Sequence, residues 1–221
     1  MRAAALYDVH GMPWALEAVL DDLQSEELDA VVFGGDLFCG PFPARILERV
    51  RRMEAQFVRG NCERAPDERL RAQLGEEAVA WSSAWPATVE LDGVLYCHAT
   101  PQSDETMVTD GSPEERFAAA LDGVDARLVV AGHTHMQFRR GRWVNAGSIG
   151  MPYEDDVAAF WAIVGDEVEF RRTEFDVESA VRELESSEWP DAESFVRENL
   201  LAPPSRREAT EYFESLGATD R

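Results

Sequence analysis

The stretch Ala3-Ala4-Ala5-Leu6-Tyr7-Asp8-Val9-His10-Gly11 decides how this chain folds. Its apolar half is too short for a helix and reads as a buried strand, ending on two polar side chains and a glycine. Pro13–Leu23 follows, with Leu16, Leu20 and Leu23 on one helical face and Pro13 suited to the first turn. The same unit then recurs. Ala30–Phe33 is a second apolar strand closed by Gly34-Gly35-Asp36, and Pro43–Met53 is an amphipathic helix through Ile46, Leu47, Val50 and Met53. Gln56–Val58 is a third short strand, ending at Gly60-Asn61. Strands alternating with helices predict parallel crossovers and an α/β sheet.

Beyond a helical stretch over Asp67–Ser83 the pattern changes to hairpins. Thr88–Leu91 and Val94–Cys97 flank Asp92-Gly93, a strong turn signal. Leu128–Ala131 reads as a buried strand. Phe138–Arg140 and Trp143–Asn145 bracket Gly141, and Ala158–Val164 and Val168–Phe175 flank Gly165-Asp166. From Asp176 the periodicity is helical again, punctuated by Pro190 and Pro203-Pro204. The expected division is an α/β domain over residues 1–175 and a helical C-terminal extension over 176–221. Val177, Val181, Leu184, Phe195, Leu200, Leu201, Tyr212, Phe213 and Leu216 make that extension a packing surface, internal or at a homo-oligomer interface.

The 221 residues suffice for a real core, with 45% apolar and 10% aromatic residues. The formal charge is −22, and all 21 cations are arginine. That excess argues against binding a nucleic-acid duplex through a basic face. An anionic substrate would need concentrated positive charge, which divalent cations supply. No apolar run approaches a membrane span and no secretory leader is visible, so a cytoplasmic protein is expected. Three cysteines make no disulfide framework, and Cys39 and Cys62 are expected as free thiols in a reducing compartment.

The metal-capable residues fall at strand ends. Asp8 and His10 follow the first strand, Asp36 the second, Asn61 the third, His98 the strand Val94–Cys97, and His133 and His135 the strand Leu128–Ala131. Ligands of open α/β sheets bind at the carboxyl ends of strands. The chain has four histidines, and all four lie at such positions. Taken singly, each has a structural reading as a loop, cap or turn residue. The joint arrangement does not. The donors are nitrogen and oxygen, suiting Mn²⁺, Fe²⁺, Co²⁺, Ni²⁺ or Zn²⁺, with Mn²⁺ favoured. Seven ligands exceed one tetrahedral ion and match two cations sharing a carboxylate, an arrangement suited to phosphoester chemistry.

These blocks resemble the calcineurin-like metallophosphoesterases, whose pattern is Asp-x-His, Gly-Asp, Gly-Asn-His-Asp/Glu, His and Gly-His-x-His. Here they read Asp8-Val9-His10, Gly35-Asp36, Gly60-Asn61-Cys62-Glu63, His98 and Gly132-His133-Thr134-His135. Asn145-Ala146-Gly147-Ser148-Ile149-Gly150 is similar to a block of the compact bacterial and archaeal phosphodiesterase branch. The resemblance implies a four-layer α/β/β/α sandwich of two mixed sheets. It implies that Asp8, His10, Asp36 and His135 hold one metal, and that Asp36, Asn61, His98 and His133 hold the other. It also implies in-line attack of a metal-bridging hydroxide on a small phosphodiester, cyclic nucleotides included. Alternatives on the same motifs are a dinucleoside-polyphosphate or phosphoprotein phosphatase, and a non-catalytic scaffold, which would be expected to lose ligands.

One position departs from the pattern. Cys62 stands where many members carry a histidine thought to protonate the leaving oxygen. A cysteine could donate a proton, though a small residue without a catalytic role is the favoured reading. Arg64 is a weak candidate for steadying phosphate. The segment Ala99–Pro113 reads equally as a pocket wall or a solvated connection. Phe38 and Tyr153 are read as core residues before stacking platforms.

Overall fold

The structure, a computed structural model, describes residues 1–217. Two five-stranded mixed sheets form its centre. The first has strands β1 (Ala3–Leu6), β2 (Ala30–Phe33), β3 (Gln56–Phe57), β9 (Ala159–Val164) and β10 (Val168–Thr173), in the order β10-β9-β1-β2-β3. The second has β4 (Thr88–Leu91), β5 (Val94–Cys97), β6 (Leu128–Ala131), β7 (Gln137–Arg140) and β8 (Trp143–Ala146), in the order β4-β5-β6-β8-β7. β1, β2 and β3 run parallel, while β9 joins β1 antiparallel, Ala3 opposite Val164. β5, β6 and β8 are parallel as well.

Period-two alternation sorts the strand residues into layers. Ala3, Ala5 and Tyr7 face the second sheet and meet Val94, Tyr96, Val130 and Val144 there. Ala4 and Leu6 face the other way, onto helices α1 (Pro13–Leu23) and α2 (Pro43–Val50) through Leu16, Val19, Ile46 and Val50. The outer face of the second sheet is covered by α6 (Glu114–Ala120), whose Phe117 packs edge-on against Trp143. The result is the expected α/β/β/α sandwich.

The C-terminal helices pack on this sandwich. Ala180 and Leu184 of α7 (Val177–Glu185), Phe195 of α8 (Ala192–Phe195), and Val196 and Leu200 of the π-helical turn Val196–Leu201 join the core over the first sheet. α9 (Arg206–Gly217) crosses to the other side, where Ala209 and Phe213 cover Met136. Leu201 and Tyr212 remain exposed, at 65% and 61%. The helical stretch 67–83 is split. α3 (Asn61–Arg64) precedes α4 (Glu68–Leu74) and α5 (Glu76–Ser83), which part at Gly75, where φ is +77° and a left-handed residue ends the first helix.

Cys39 and Cys62 are not free thiols. They form a disulfide closing 23 residues of chain, which leaves Cys97 buried as the free cysteine among the described residues. Cys39 lies in the loop after β2 and Cys62 in the first turn of α3 after β3, and the parallel pairing of those strands brings them together. No helix among the described residues is long and apolar enough to cross a membrane.

Candidate metal centre

All four histidines converge with Asp8 and Asp36 at the carboxyl edge of the two sheets. Asp8, His10 and His135 form one group and Asp36, His98 and His133 another, with the donor atoms of each group within 4.8 Å of one another. The groups adjoin: His98 Nε2 is 3.5 Å from Asp36 Oδ2 and 4.0 Å from Asp8 Oδ1. Asn61 Oδ1 lies 3.0 Å from His98 Nε2. The seven sequence-predicted residues therefore meet in one cluster.

The imidazoles are oriented from behind by backbone carbonyls. His10 Nδ1 donates to Cys39 O at 2.9 Å, His135 Nδ1 to Met151 O at 2.7 Å and His98 Nδ1 to Gly34 O at 2.9 Å. His133 uses the opposite nitrogen, its Nε2 donating to Glu105 O at 3.2 Å. A carbonyl only accepts, so each contact fixes a tautomer and turns the other nitrogen inward as a lone pair. The inward atoms then face one another, His10 Nε2 and His135 Nε2 at 3.2 Å, His98 Nε2 and His133 Nδ1 at 3.1 Å. Lone pairs at that range repel unless a proton or metal cation lies between them.

Asp8 sharpens the point. Its Oδ2 accepts the His133 backbone N–H at 2.9 Å, whereas its fully buried Oδ1 has no hydrogen-bond partner. That oxygen lies 3.3 Å from His135 Nε2 and 3.7 Å from His10 Nε2. An orphaned buried carboxylate oxygen among imidazole lone pairs is the donor set of a divalent cation.

Burial opposes ionisation of both carboxylates, but the histidines outweigh it, His135 first for Asp8 and His98 first for Asp36, and hold both below the usual range. Burial likewise opposes a charge on His98, yet Asp36 and Asp8 push its pKa up to about 10. Burial and then the neighbouring His98 push His133 down to about 4. Positive charge is thus favoured at His98 and disfavoured at His133.

The backbone is bent to make this geometry. Asp8, His10, Asp36, His133 and His135 all have left-handed φ, between +46° and +65°. The sixth such non-glycine residue described, Asp92, sits in the β4–β5 turn. Left-handed backbone is costly for residues with a Cβ and persists where surrounding contacts enforce it. Gly132 and Gly60 leave room for the approach. A Cβ on Gly132 would lie 2.3 Å from Asp8 Oδ2, and one on Gly60 2.1 Å from Asp36 Oδ1.

Several supporting residues escaped the sequence reading. Glu63 is buried and accepts the backbone N–H groups of Asp36, Leu37 and Gly60 at 2.8–3.0 Å. Asn145 Nδ2 donates to Gly132 O and Thr134 Oγ1, bracing the loop of His133 and His135, and Ser148 Oγ donates to Asp8 O. The motif positions of Glu63, Asn145 and Ser148 were the available signal. Tyr153 stacks on His135 at 5.0 Å, while Phe38 is wholly buried in the core.

Two weaker site candidates are already engaged elsewhere. The Cys62 sulfur is bonded to Cys39 and carries no proton to donate. Arg64 is engaged by Asp104 at 2.7 Å and Glu105 at 2.6 Å, so its charge is already matched. Those acids belong to the segment 99–113, which is tied to the centre through the Glu105 carbonyl and is not merely a solvated connection.

The fold and this cluster define an α/β/β/α protein with a histidine- and aspartate-lined centre at its strand ends. The sequence matches the family model of the calcineurin-like phosphoesterase superfamily domain over residues 1–165, and the chain belongs to that superfamily, whose members are generally hydrolases acting on phosphoesters. No curated protein matches the chain. A solved metallophosphoesterase from Sphaerobacter thermophilus is similar, with a TM-score of 0.75 and 24% identity, over 91% of this chain and 98% of the other. A hypothetical protein from Pyrococcus horikoshii OT3 gives a TM-score of 0.77 at 17% identity, over 92% and 99%. At these identities the likeness is one of fold.

Proposed function

We propose that the protein is a metal-dependent phosphodiesterase acting on small diesters. In this reading Asp8, His10, Asp36 and His135 hold one divalent cation, and Asp36, Asn61, His98 and His133 hold a second, with Mn²⁺ favoured. The observation that carries it is the partnerless Asp8 Oδ1 facing the imidazole nitrogens of His10 and His135, whose remaining ring nitrogens are committed to carbonyls. When bound, such cations lower the pKa of a shared water and neutralise phosphate oxygens.

The chain's own residues do the rest. The carbonyl contacts hold each imidazole in orientation with its second nitrogen aimed inward, so the centre is organised before substrate arrives. Glu63 keeps the Asp36 and Asn61 loops in register. Neither Cys62 nor Arg64 offers a free proton donor or free cation to the leaving group. Diesters with good leaving groups are therefore the preferred substrates.

The test uses metal-stripped protein reloaded with Mn²⁺, Ni²⁺, Co²⁺, Zn²⁺ or Mg²⁺. Each form is assayed on aryl phosphodiesters, aryl monoesters, cyclic nucleotides and dinucleoside polyphosphates. Metal-restored hydrolysis with diesters fastest supports the reading. Metal binding without hydrolysis of any substrate would sink it in favour of a scaffold, and fastest turnover of dinucleoside polyphosphates would replace it with that alternative.

A further inference from the structure

Beside the metal centre lies a cleft of about 570 Å³, within the size range of small-molecule sites. Asn61, one of the clustered residues, and the Cys39–Cys62 disulfide line it, so the cleft adjoins the centre. α4 supplies Leu70 and Gln73. Further lining comes from Trp189 and Phe195, whose rings meet edge to face at 5.1 Å. Both lie beyond residue 165, where the match to the family domain ends. This part of the lining is therefore a property of the chain's C-terminal part.

We infer that this cleft seats an uncharged, flat aromatic group of the phosphoester, such as a nucleobase or aryl ring, while the phosphate sits at the metals. The inference rests on the phosphodiesterase reading and adds its substrate class. Charge supports it. The cleft's two arginines are both matched, Arg69 by Asp191 at 2.6 Å and Arg64 by Asp104 and Glu105. With Asp67 also on the lining, a second phosphate or carboxylate entering the cleft would meet no unpaired cation. Shape supports it as well. Trp189 and Leu70 offer apolar area in the lining, and Gln73 offers amide donors and an acceptor for a heterocycle edge. The Arg69–Asp191 pair links α4 to the segment carrying Trp189.

The experiment measures binding of slow diesters with poor leaving groups to the Mn²⁺-loaded full chain by calorimetry. The probes are dimethyl phosphate, phenyl methyl phosphate and methyl thymidine 5′-phosphate, which carry the same charge. The aromatic probes are expected to bind about 10-fold tighter than dimethyl phosphate, a gain typical of one stacked ring. Trp189→Ala should reduce that preference to within about 2-fold and leave dimethyl phosphate affinity unchanged. Gln73→Trp, on the exposed face of α4, fills the cleft without touching the core and should do the same. Trp189→Phe should keep most of the preference. Equal affinity of the wild type for all three probes, or no measurable binding of the aromatic ones, overturns the inference. An aromatic preference without turnover of any diester would leave the cleft standing and remove the hydrolase reading, and turnover without preference would do the reverse.

Discussion

Glu63 holds Asp36 from behind: its Oε2 accepts the Asp36 backbone N–H at 2.9 Å, and its Oε1 takes the next N–H, that of Leu37, at 2.8 Å. Oε2 also accepts the Gly60 N–H at 3.0 Å, so one buried carboxyl group joins the loops that carry Asp36 and Asn61. Burial and the nearby Asp36 charge push its pKa up to about 7 despite those three donors.

Glu63→Gln replaces one of these acceptor oxygens by an amide donor that must face a backbone N–H. Stability is expected to fall by about 1–3 kcal/mol, the usual cost of a buried donor left unpaired. Divalent-metal affinity is expected to fall roughly 10- to 100-fold, as for residues that orient ligands. Thermal melts with and without Mn²⁺ check both. An unchanged metal-induced shift in Tm would show that Glu63 braces the loops without orienting the ligands.

Gly132→Ala tests the close approach of β6 to Asp8. Its Cβ would press on Asp8 Oδ2 at 2.3 Å and on the Tyr7 ring at 2.5 Å, neither of which is a flexible chain end. A loss of roughly 1–3 kcal/mol is expected from overpacking, together with loss of metal binding. Urea melts and a metal titration measure these effects. Wild-type behaviour in both would mean that the loop shifts without cost.

Reduction of the Cys39–Cys62 bond should weaken the fold and the centre together. The Cys39 carbonyl accepts from His10 Nδ1, and the Cys62 N–H donates to Asp36 Oδ1 at 2.9 Å. A cross-link over 23 residues is worth about 2–4 kcal/mol. Thiol counting on unfolded, unreduced protein should find one free cysteine. Melting with and without reductant should show a lower Tm in the reduced form. Three free thiols in the oxidised preparation would refute the bond.

With no proton donor at position 62, the rate should depend on how readily the leaving group departs. A series of aryl methyl phosphodiesters should show kcat/KM rising steeply as leaving-group pKa falls. A flat profile would point to a general acid elsewhere in the centre.

The sandwich was legible because its signals are local. The β4–β5 hairpin was readable from Asp92-Gly93 between two apolar runs, and α1 from Pro13 and the leucine spacing. The ligand cluster was readable from residue types at strand ends, since parallel strands bring their carboxyl ends to one edge. What could not be read depends on contacts between distant segments. Nothing local marks Asp8 or His133 as left-handed, and the Cys39–Cys62 pairing needs the register of β2 against β3. Trp189 shows no periodic signal that would aim it at residues more than a hundred positions earlier. The stretch 67–83 is helical as its pattern implies, but its division into two helices depends on the positive φ of Gly75, which periodicity does not reveal.

The position of β1 in its sheet has a consequence for biogenesis. Its neighbours are β2, made next, and β9, which lies some 150 residues later. On a ribosome the Asp8 loop leaves the tunnel well before the Ser148 and Gly150 groups that bind the Asp8 carbonyl, and before the strand that flanks β1. Until then the nascent chain presents an unpaired apolar strand edge, the kind of surface that chaperones hold. Chains truncated before β9 should therefore be recovered as aggregates or chaperone complexes, although every histidine of the centre is already present in them.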